Sequence, residues 1–123
     1  MSTVVKTDEM IAKIRGTTLG YEDHGIFTAY LELDYGSSAQ GAGGMMFDYF
    51  DKDLDKRIGR GEGIQWIAGV LGACGVRTWE EVKGRTVIAI TESGRVVGLK
   101  PLPTEKGKRF MFVDAFPPRE DES

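Results

Sequence analysis

The sequence predicts an α+β fold in which a mostly antiparallel sheet of five to six strands packs against one principal helix. Several runs alternate apolar and polar residues with the period of a half-buried strand. One central segment instead carries apolar residues at helical spacing. The predicted order is three strands, the helix and three further strands.

The length and composition fit one globular domain. The chain has 123 residues, of which 41% are hydrophobic and 28% charged. We expect residues 1–117 to form a single α+β domain. The polar, proline-broken end, residues 118–123, is expected to be a C-terminal tail.

The first two predicted strands form a hairpin. In the first strand, Ala12 and Ile14 alternate with Lys13 and Arg15. Residues 26–35 alternate more regularly. One face of this second strand carries Phe27, Ala29, Leu31, Leu33 and Tyr35.

A glycine-rich stretch separates the second strand from the predicted third. Residues 36–44, "GSSAQGAGG", contain no large apolar side chain, which favours a loop or a distorted edge. The following "MMFDYF", residues 45–50, predicts the third strand.

The principal helix is predicted from an apolar stripe that ends before a glycine. Its members are Ile64, Trp66, Ile67, Ala68, Val70 and Leu71. Gly75 is well placed as the C-terminal cap. Thr78 and Glu81 have capping-box spacing, which predicts one more helical turn before Gly84.

Three apolar runs complete the sheet. "RTVIAIT", "RVVGLK" and "KRFMFVDAF" are each typical of a strand, and Ser93-Gly94 and "PLPTEKG" separate them.

Charge and composition exclude several classes of protein. The net charge of −3 makes nucleic acid unlikely as a general partner. We expect a cytoplasmic protein with no membrane partner, because the chain has neither a signal-peptide pattern nor a long apolar stretch. The lone Cys74 excludes an intrachain disulfide and predicts a buried thiol. No cofactor is expected.

The turn between the first two strands contains the only histidine. Glu22, Asp23, His24 and Gly25 suit a tight connection. His24 could act as a base or a metal ligand, but no second group of a hydrolytic site stands near it in the sequence. A plain turn or a recognition surface is therefore favoured over metal binding and catalysis.

The glycine-rich stretch is a second candidate site. It lacks the lysine and hydroxyl residue of a phosphate-binding P-loop and leads into a strand. A plain hairpin connection is the favoured interpretation, and a ligand or partner site is the alternative. In that site Ser37, Ser38 and Gln40 would supply polar contacts, and close approach to the backbone would occur at Gly41, Gly43 and Gly44.

A partial calcium-loop pattern follows the predicted third strand. Positions 1, 3, 5, 8 and 12 are occupied by Asp51, Asp53, Asp55, Ile58 and Glu62. Lys56 stands where the loop requires glycine, so a solvated linker between strand and helix is the favoured interpretation.

The segments "TTLGYEDHGIFTAYLELDYG" and "QGAGG" resemble small, poorly characterised proteins encoded by bacteriophages and prophages, over about residues 14–49. The resemblance implies a viral accessory protein that acts in the host cell. The favoured hypothesis is a non-enzymatic anti-defence factor that inhibits a host immune protein or sequesters a small signalling nucleotide. Its surface would combine residues 22–25 with residues 36–44, and homo-oligomers are compatible with it. The alternative is a metal-dependent hydrolytic enzyme that uses His24 and carboxylates.

Overall fold

The computed structural model describes residues 6–117. The predicted polar tail, residues 118–123, lies outside the described residues. The elements, in chain order, are β1 (Thr7–Tyr21), β2 (Phe27–Asp34), β3 (Ala39–Gly43), β4 (Asp48–Asp51), β5 (Lys56–Gly59), α1 (Gly61–Cys74), β6 (Thr86–Glu92), β7 (Arg95–Lys100) and β8 (Phe110–Met111). Short 3₁₀ turns occur at Trp79–Glu81 and Phe112–Asp114.

The main sheet is antiparallel and has the strand order β3-β2-β1-β6-β7-β8, while β4 and β5 form a separate hairpin. The predicted α+β class is therefore confirmed. The long strand β1 joins two parts of the sheet, because its residues 13–21 pair with β2 and its residues 7–13 pair with β6. The sheet also curls, so that β3 lies beside β7. There the side-chain amide of Gln40 donates to the carbonyl oxygen of Gly94.

The core lies between the concave sheet and α1. The predicted alternation of β1 and β2 is confirmed, because Ala12, Ile14, Ala29, Leu31 and Leu33 are all buried. From α1, Trp66 and Val70 are fully buried, and the helix contacts β6, β7 and β8. The ring of Trp66 contacts those of Phe47, Trp79 and Phe112.

The predicted helix is present, and Trp66 and Val70 of the predicted stripe are buried, but the buried face turns away from part of that stripe. Its buried residues are Gly63, Trp66, Val70, Ala73 and Cys74. The predicted stripe is wrong at Ile64 and Ala68, which are exposed, whereas Ile67 and Leu71 are partly buried. The buried face is determined partly by close packing of the Phe47 ring against Gly63, where a Cβ atom would lie only 2.7 Å from Cγ of Phe47. The positions of the large apolar residues were therefore not sufficient to predict which side of α1 packs against the core.

The predicted C-terminal cap of α1 and the predicted capping box after it are both confirmed. Gly75 caps α1 in the left-handed conformation, with a φ of 67°. Thr78 and Glu81 form the predicted capping box.

The third strand was predicted at the wrong place. β3 forms within the glycine-rich stretch, which was expected to be a loop or a distorted edge, and it is an edge strand of the main sheet. Ala42 of β3 pairs with Leu31 and enters the core. Of the predicted strand at residues 45–50, the last three residues belong to β4, which lies outside the main sheet. The expected linker after it is the turn and second strand of the β4–β5 hairpin.

The last predicted strand is also shorter than expected. Only Phe110 and Met111 pair with β7, and the chain then turns at Phe112. Because Phe110, Phe112 and Ala115 are all buried, the backbone must curve around the core and cannot continue straight along the sheet.

Candidate functional site

The β1–β2 turn is a compact structure organised by Glu22. One carboxylate oxygen accepts the backbone N–H of His24 at 2.6 Å and that of Ile26 at 3.3 Å. The other lies 3.3 Å from Nδ1 of His24. Partial burial raises the pKa of Glu22, but the hydrogen bonds from His24 and Ile26 outweigh it and hold that pKa below its ordinary value. The imidazole itself projects into solvent, with 84% of the side chain exposed.

A buried carboxylate attaches the β4–β5 hairpin to this end of the main sheet. Asp48 accepts the backbone N–H of Phe27 at 3.1 Å. It also accepts two hydrogen bonds from Arg57, at 2.7 and 2.8 Å. The side chain of Asp48 is only 6% exposed. The hairpin is consequently fixed beside the β1–β2 turn, and the charge of Arg57 interacts with Tyr21 and Glu22.

The Asp48–Arg57 pair shifts the pKa of both partners. Hydrogen bonds from Arg57 lower the pKa of Asp48 despite the opposing effect of burial, and the N–H of Phe27 lowers it further. The same hydrogen bonds raise the pKa of Arg57. Both groups therefore stay charged at neutral pH, and the pair holds the base of the hairpin in one geometry.

The hairpin exposes large apolar side chains to solvent. We call the hairpin surface the four residues Met46, Tyr49, Phe50 and Leu54, which are 50%, 47%, 51% and 59% exposed. Tyr49 and Phe50 are adjacent in β4, so they point to opposite faces of the hairpin. A two-stranded hairpin has little stability of its own and gains from further packing. Because exposed apolar patches often mark interaction sites, a partner that covers these side chains could supply that packing.

An apolar pocket of about 280 Å³ lies at the base of the hairpin. It is lined by Phe27, Phe47, Gly59, Arg60, Gly61, Gly63, Ile64 and Ile67. The guanidinium of Arg60 is already engaged, since it lies 2.9 Å from the Glu62 carboxylate and stacks over the ring of Phe116. The pocket is thus an apolar cavity whose one charged lining group, Arg60, is already paired with Glu62.

The structure does not bring the two predicted site segments together. Residues 22–25 precede β2, whereas Ser37 and Ser38 follow it and are exposed at its other end. Eight residues of strand separate the two turns, a distance of about 25 Å. Of residues 22–25, Glu22 lies close enough to the β4–β5 hairpin for its charge to interact with that of Arg57.

Gln40 and the glycines of β3 have structural neighbours. Gln40 accepts a hydrogen bond from the hydroxyl of Tyr35 at 2.7 Å and donates to Gly94, so it joins β3 to the turn between β6 and β7. Gly41 is exposed in β3. Gly43 lies against the Trp66 ring, and Gly44 donates its N–H to Ala29 at 2.8 Å.

The segment with the calcium-loop pattern is the turn of the hairpin. One oxygen of Asp51 accepts the backbone N–H groups of Asp53 and Leu54 at 2.9 and 3.0 Å. Asp55 follows with a φ of 52°. Across residues 6–117, no three His, Cys, Asp or Glu side chains are grouped as metal ligands would be. Weak or absent calcium binding stays a prediction.

Sequence reasoning missed the hairpin surface. The available signal was "MMFDYF" itself, because its aromatic residues stand at neighbouring positions and cannot all face the same side of a strand. The charged "DKDLDKR" after it, which contains Leu54, is the turn and return strand of the same hairpin.

The described chain is an α+β protein with a curled antiparallel sheet and an apolar hairpin at one end. No family model, curated protein or solved structure matches it. The resemblance to phage-encoded proteins therefore stays a prediction. Within residues 6–117, no helix has the length and apolar character needed to span a membrane.

Proposed function

We propose that this protein is a non-enzymatic binding protein that attaches to another protein through the hairpin surface and the adjoining pocket. In line with the phage resemblance, the partner is a host protein, and the biological role is inhibition of a host immune component. The observation that carries the proposal is the concentration of half-exposed apolar residues in one hairpin, Tyr49, Phe50 and Leu54, with Met46 just before it.

The attachment of the hairpin supports a recognition role. Aromatic side chains contribute most to binding when they enter a partner's pocket from a fixed position. The Asp48–Arg57 pair supplies such a position, because it fastens β4 to β5 and β4 to Phe27. The loss of freedom on binding is therefore small for Phe50, which lies opposite Arg57 in the hairpin.

The chemistry of this end of the molecule favours a protein partner over a nucleotide. The carboxylate of Glu22 lies close enough to the hairpin to interact with the charge of Arg57, and it would repel phosphate groups. The pocket walls are mainly apolar, and the Arg60 guanidinium is occupied by Glu62. Apolar and aromatic groups of a protein surface match these features better.

Affinity capture from a bacterial lysate tests the proposal. Wild-type protein is compared with a Phe50→Ser/Leu54→Ser variant, which removes two exposed apolar groups and leaves Asp48 and Arg57 intact. A Ser37→Ala/Ser38→Ala variant, altered at the far end of β2, is the matched control. Mass spectrometry of captured proteins and of small molecules reads out both kinds of partner.

The expected result is a protein captured by wild type and by the control, with recovery reduced at least tenfold for Phe50→Ser/Leu54→Ser at unchanged thermal stability, which corresponds to about 1.4 kcal/mol. Equal recovery with all three proteins would contradict a role for the hairpin surface. Co-purification of a nucleotide that is lost only in the Ser37→Ala/Ser38→Ala variant would favour sequestration at the β2–β3 turn.

A further inference from the structure

Within residues 6–117, no strand pairs with one edge of the first half of β1. Its residues 7–13 pair with β6, but β2 covers its other side only from Lys13 onward. The stretch Thr7 to Ile11 is exposed, with Met10 at 42% and Ile11 at 64% exposure. An unpaired strand edge with exposed apolar residues is a template for another strand.

The direction of the backbone groups along this edge follows from one pair of hydrogen bonds. Ile14 donates to Arg85 at 2.8 Å and accepts from Gly84 at 2.7 Å, so its backbone groups face the β6 side. Because these groups alternate along an antiparallel strand, those of Thr7, Glu9 and Ile11 face the open side.

These three residues are symmetric about Glu9. If a second copy pairs antiparallel with its Glu9 opposite Glu9, each Thr7 lies opposite the partner's Ile11, and every outward N–H and C=O finds a partner. A register centred on Met10 would place Thr7 opposite Lys13, where Asp34 of β2 already lies. Because the open edge ends before Lys13, only the register centred on Glu9 pairs all three outward-facing residues.

The charges are compatible with this register. Each Glu9 carboxylate lies 2.7 Å from the ammonium of Lys100 on the same chain, which offsets the repulsion between the two facing glutamates. Asp8 would lie opposite Met10 and not opposite another charge.

We propose that two copies of this chain associate through their β1 edges, from Thr7 to Ile11, and form one continuous antiparallel sheet across a two-fold axis. This interface is separate from the hairpin surface and does not depend on the proposed function.

Sedimentation between about 1 µM and 1 mM, the range in which weak association is visible, tests the proposal. Ile11→Pro removes an outward N–H without removing a hydrogen bond to β6, and we expect at least tenfold weaker association. Ile11→Lys keeps the backbone and should also weaken it several-fold. Val113→Lys introduces the same charge at another exposed β-branched residue, outside both proposed surfaces, and should leave association unchanged.

Crosslinking tests the register. In a Cys74→Ala background, Glu9→Cys should form an interchain disulfide, since facing residues of such a pair have Cα atoms about 5.5 Å apart. Thr7→Cys should not, because the two Thr7 residues would be about 13 Å apart. A monomer throughout the concentration range overturns the proposal. So does a dimer unaffected by both Ile11 variants, or a disulfide that forms from Thr7→Cys and not from Glu9→Cys.

Discussion

Gly43 lies where β3 crosses the ring of Trp66. A Cβ atom there would be 2.7 Å from Cζ2 of Trp66 and 2.9 Å from the carbonyl oxygen of Ala29, and φ is 103°. Glycine is therefore required twice, for space and for backbone conformation. Its neighbour Gly44 has a φ of 87° but no atom within 4 Å of a Cβ position, so the pair separates the two requirements.

We expect Gly43→Ala to lower the free energy of unfolding by about 1–3 kcal/mol more than Gly44→Ala, because only the former overpacks the core. Denaturant unfolding measures both variants. Equal losses would mean that backbone strain alone acts and that Trp66 moves aside without cost.

Asp48 should make stability depend on pH below neutrality. Its pKa in the folded protein lies below the ordinary value of 3.8, so its contribution is present above that pH and is lost as the pH falls through the folded pKa. We expect Asp48→Asn to cost about 1.5–3 kcal/mol at pH 7, since it weakens charged hydrogen bonds. The variant should also lose less stability on acidification than wild type.

Thermal unfolding between pH 2 and pH 7 gives both quantities, with Glu32→Gln as the control. Glu32 is 3.5 Å from Arg15 but half exposed, so its pair should contribute almost nothing. If Glu32→Gln matches Asp48→Asn at both ends of the range, burial of the Asp48–Arg57 pair is not the cause.

Among the elements, the β4–β5 hairpin gives a prediction about calcium. Because Asp51 already caps the turn through Asp53 and Leu54, and Lys56 follows, we expect no calcium binding with a dissociation constant in the low micromolar range or tighter. Calorimetry checks this directly. A tight site that disappears in Glu62→Gln would show that the turn rearranges into a calcium loop.

Some strands could be predicted from the sequence because one face of each lies against the core and the other faces solvent. β1 and β2 separate core from solvent, so Ile14 and Leu31 alternate with polar residues and reveal the strands. The position of β3 could not be predicted in this way, because the Trp66 ring replaces the side chain that Gly43 lacks. The identity of a small residue does not show what packs against it.

The candidate site was predictable only in part, for a related reason. The β1–β2 turn was found from Asp23 and Gly25, which carry local turn preferences. Its neighbour in space is the β4–β5 hairpin, and that neighbour is set by the long-range bond from Phe27 to Asp48. Local preferences contain no information about such a contact.

At the scale of the whole molecule, the pairing of β1 with β6 dominates the topology. Lys13 pairs with Thr86, and four strands and the helix lie between them in the chain. Such long-range pairing gives slow folding, so we expect refolding in milliseconds to seconds. Stopped-flow fluorescence can follow the protein through Trp66 and Trp79, whose ring centroids lie 6.5 Å apart in the fold. Complete recovery of its fluorescence in microseconds would contradict this expectation.

The same pairing has a consequence during synthesis on the ribosome. β1 and β2 can form their hairpin as soon as both have emerged, but residues 7–12 must wait for β6. Until then a nascent chain presents this segment with both edges unpaired, together with a helix whose Trp66 lacks part of its cover. Each ribosome that translates this chain would expose this intermediate to chaperones that recognise extended apolar segments. A pause in translation after α1 should therefore increase the fraction of nascent chains bound by such chaperones.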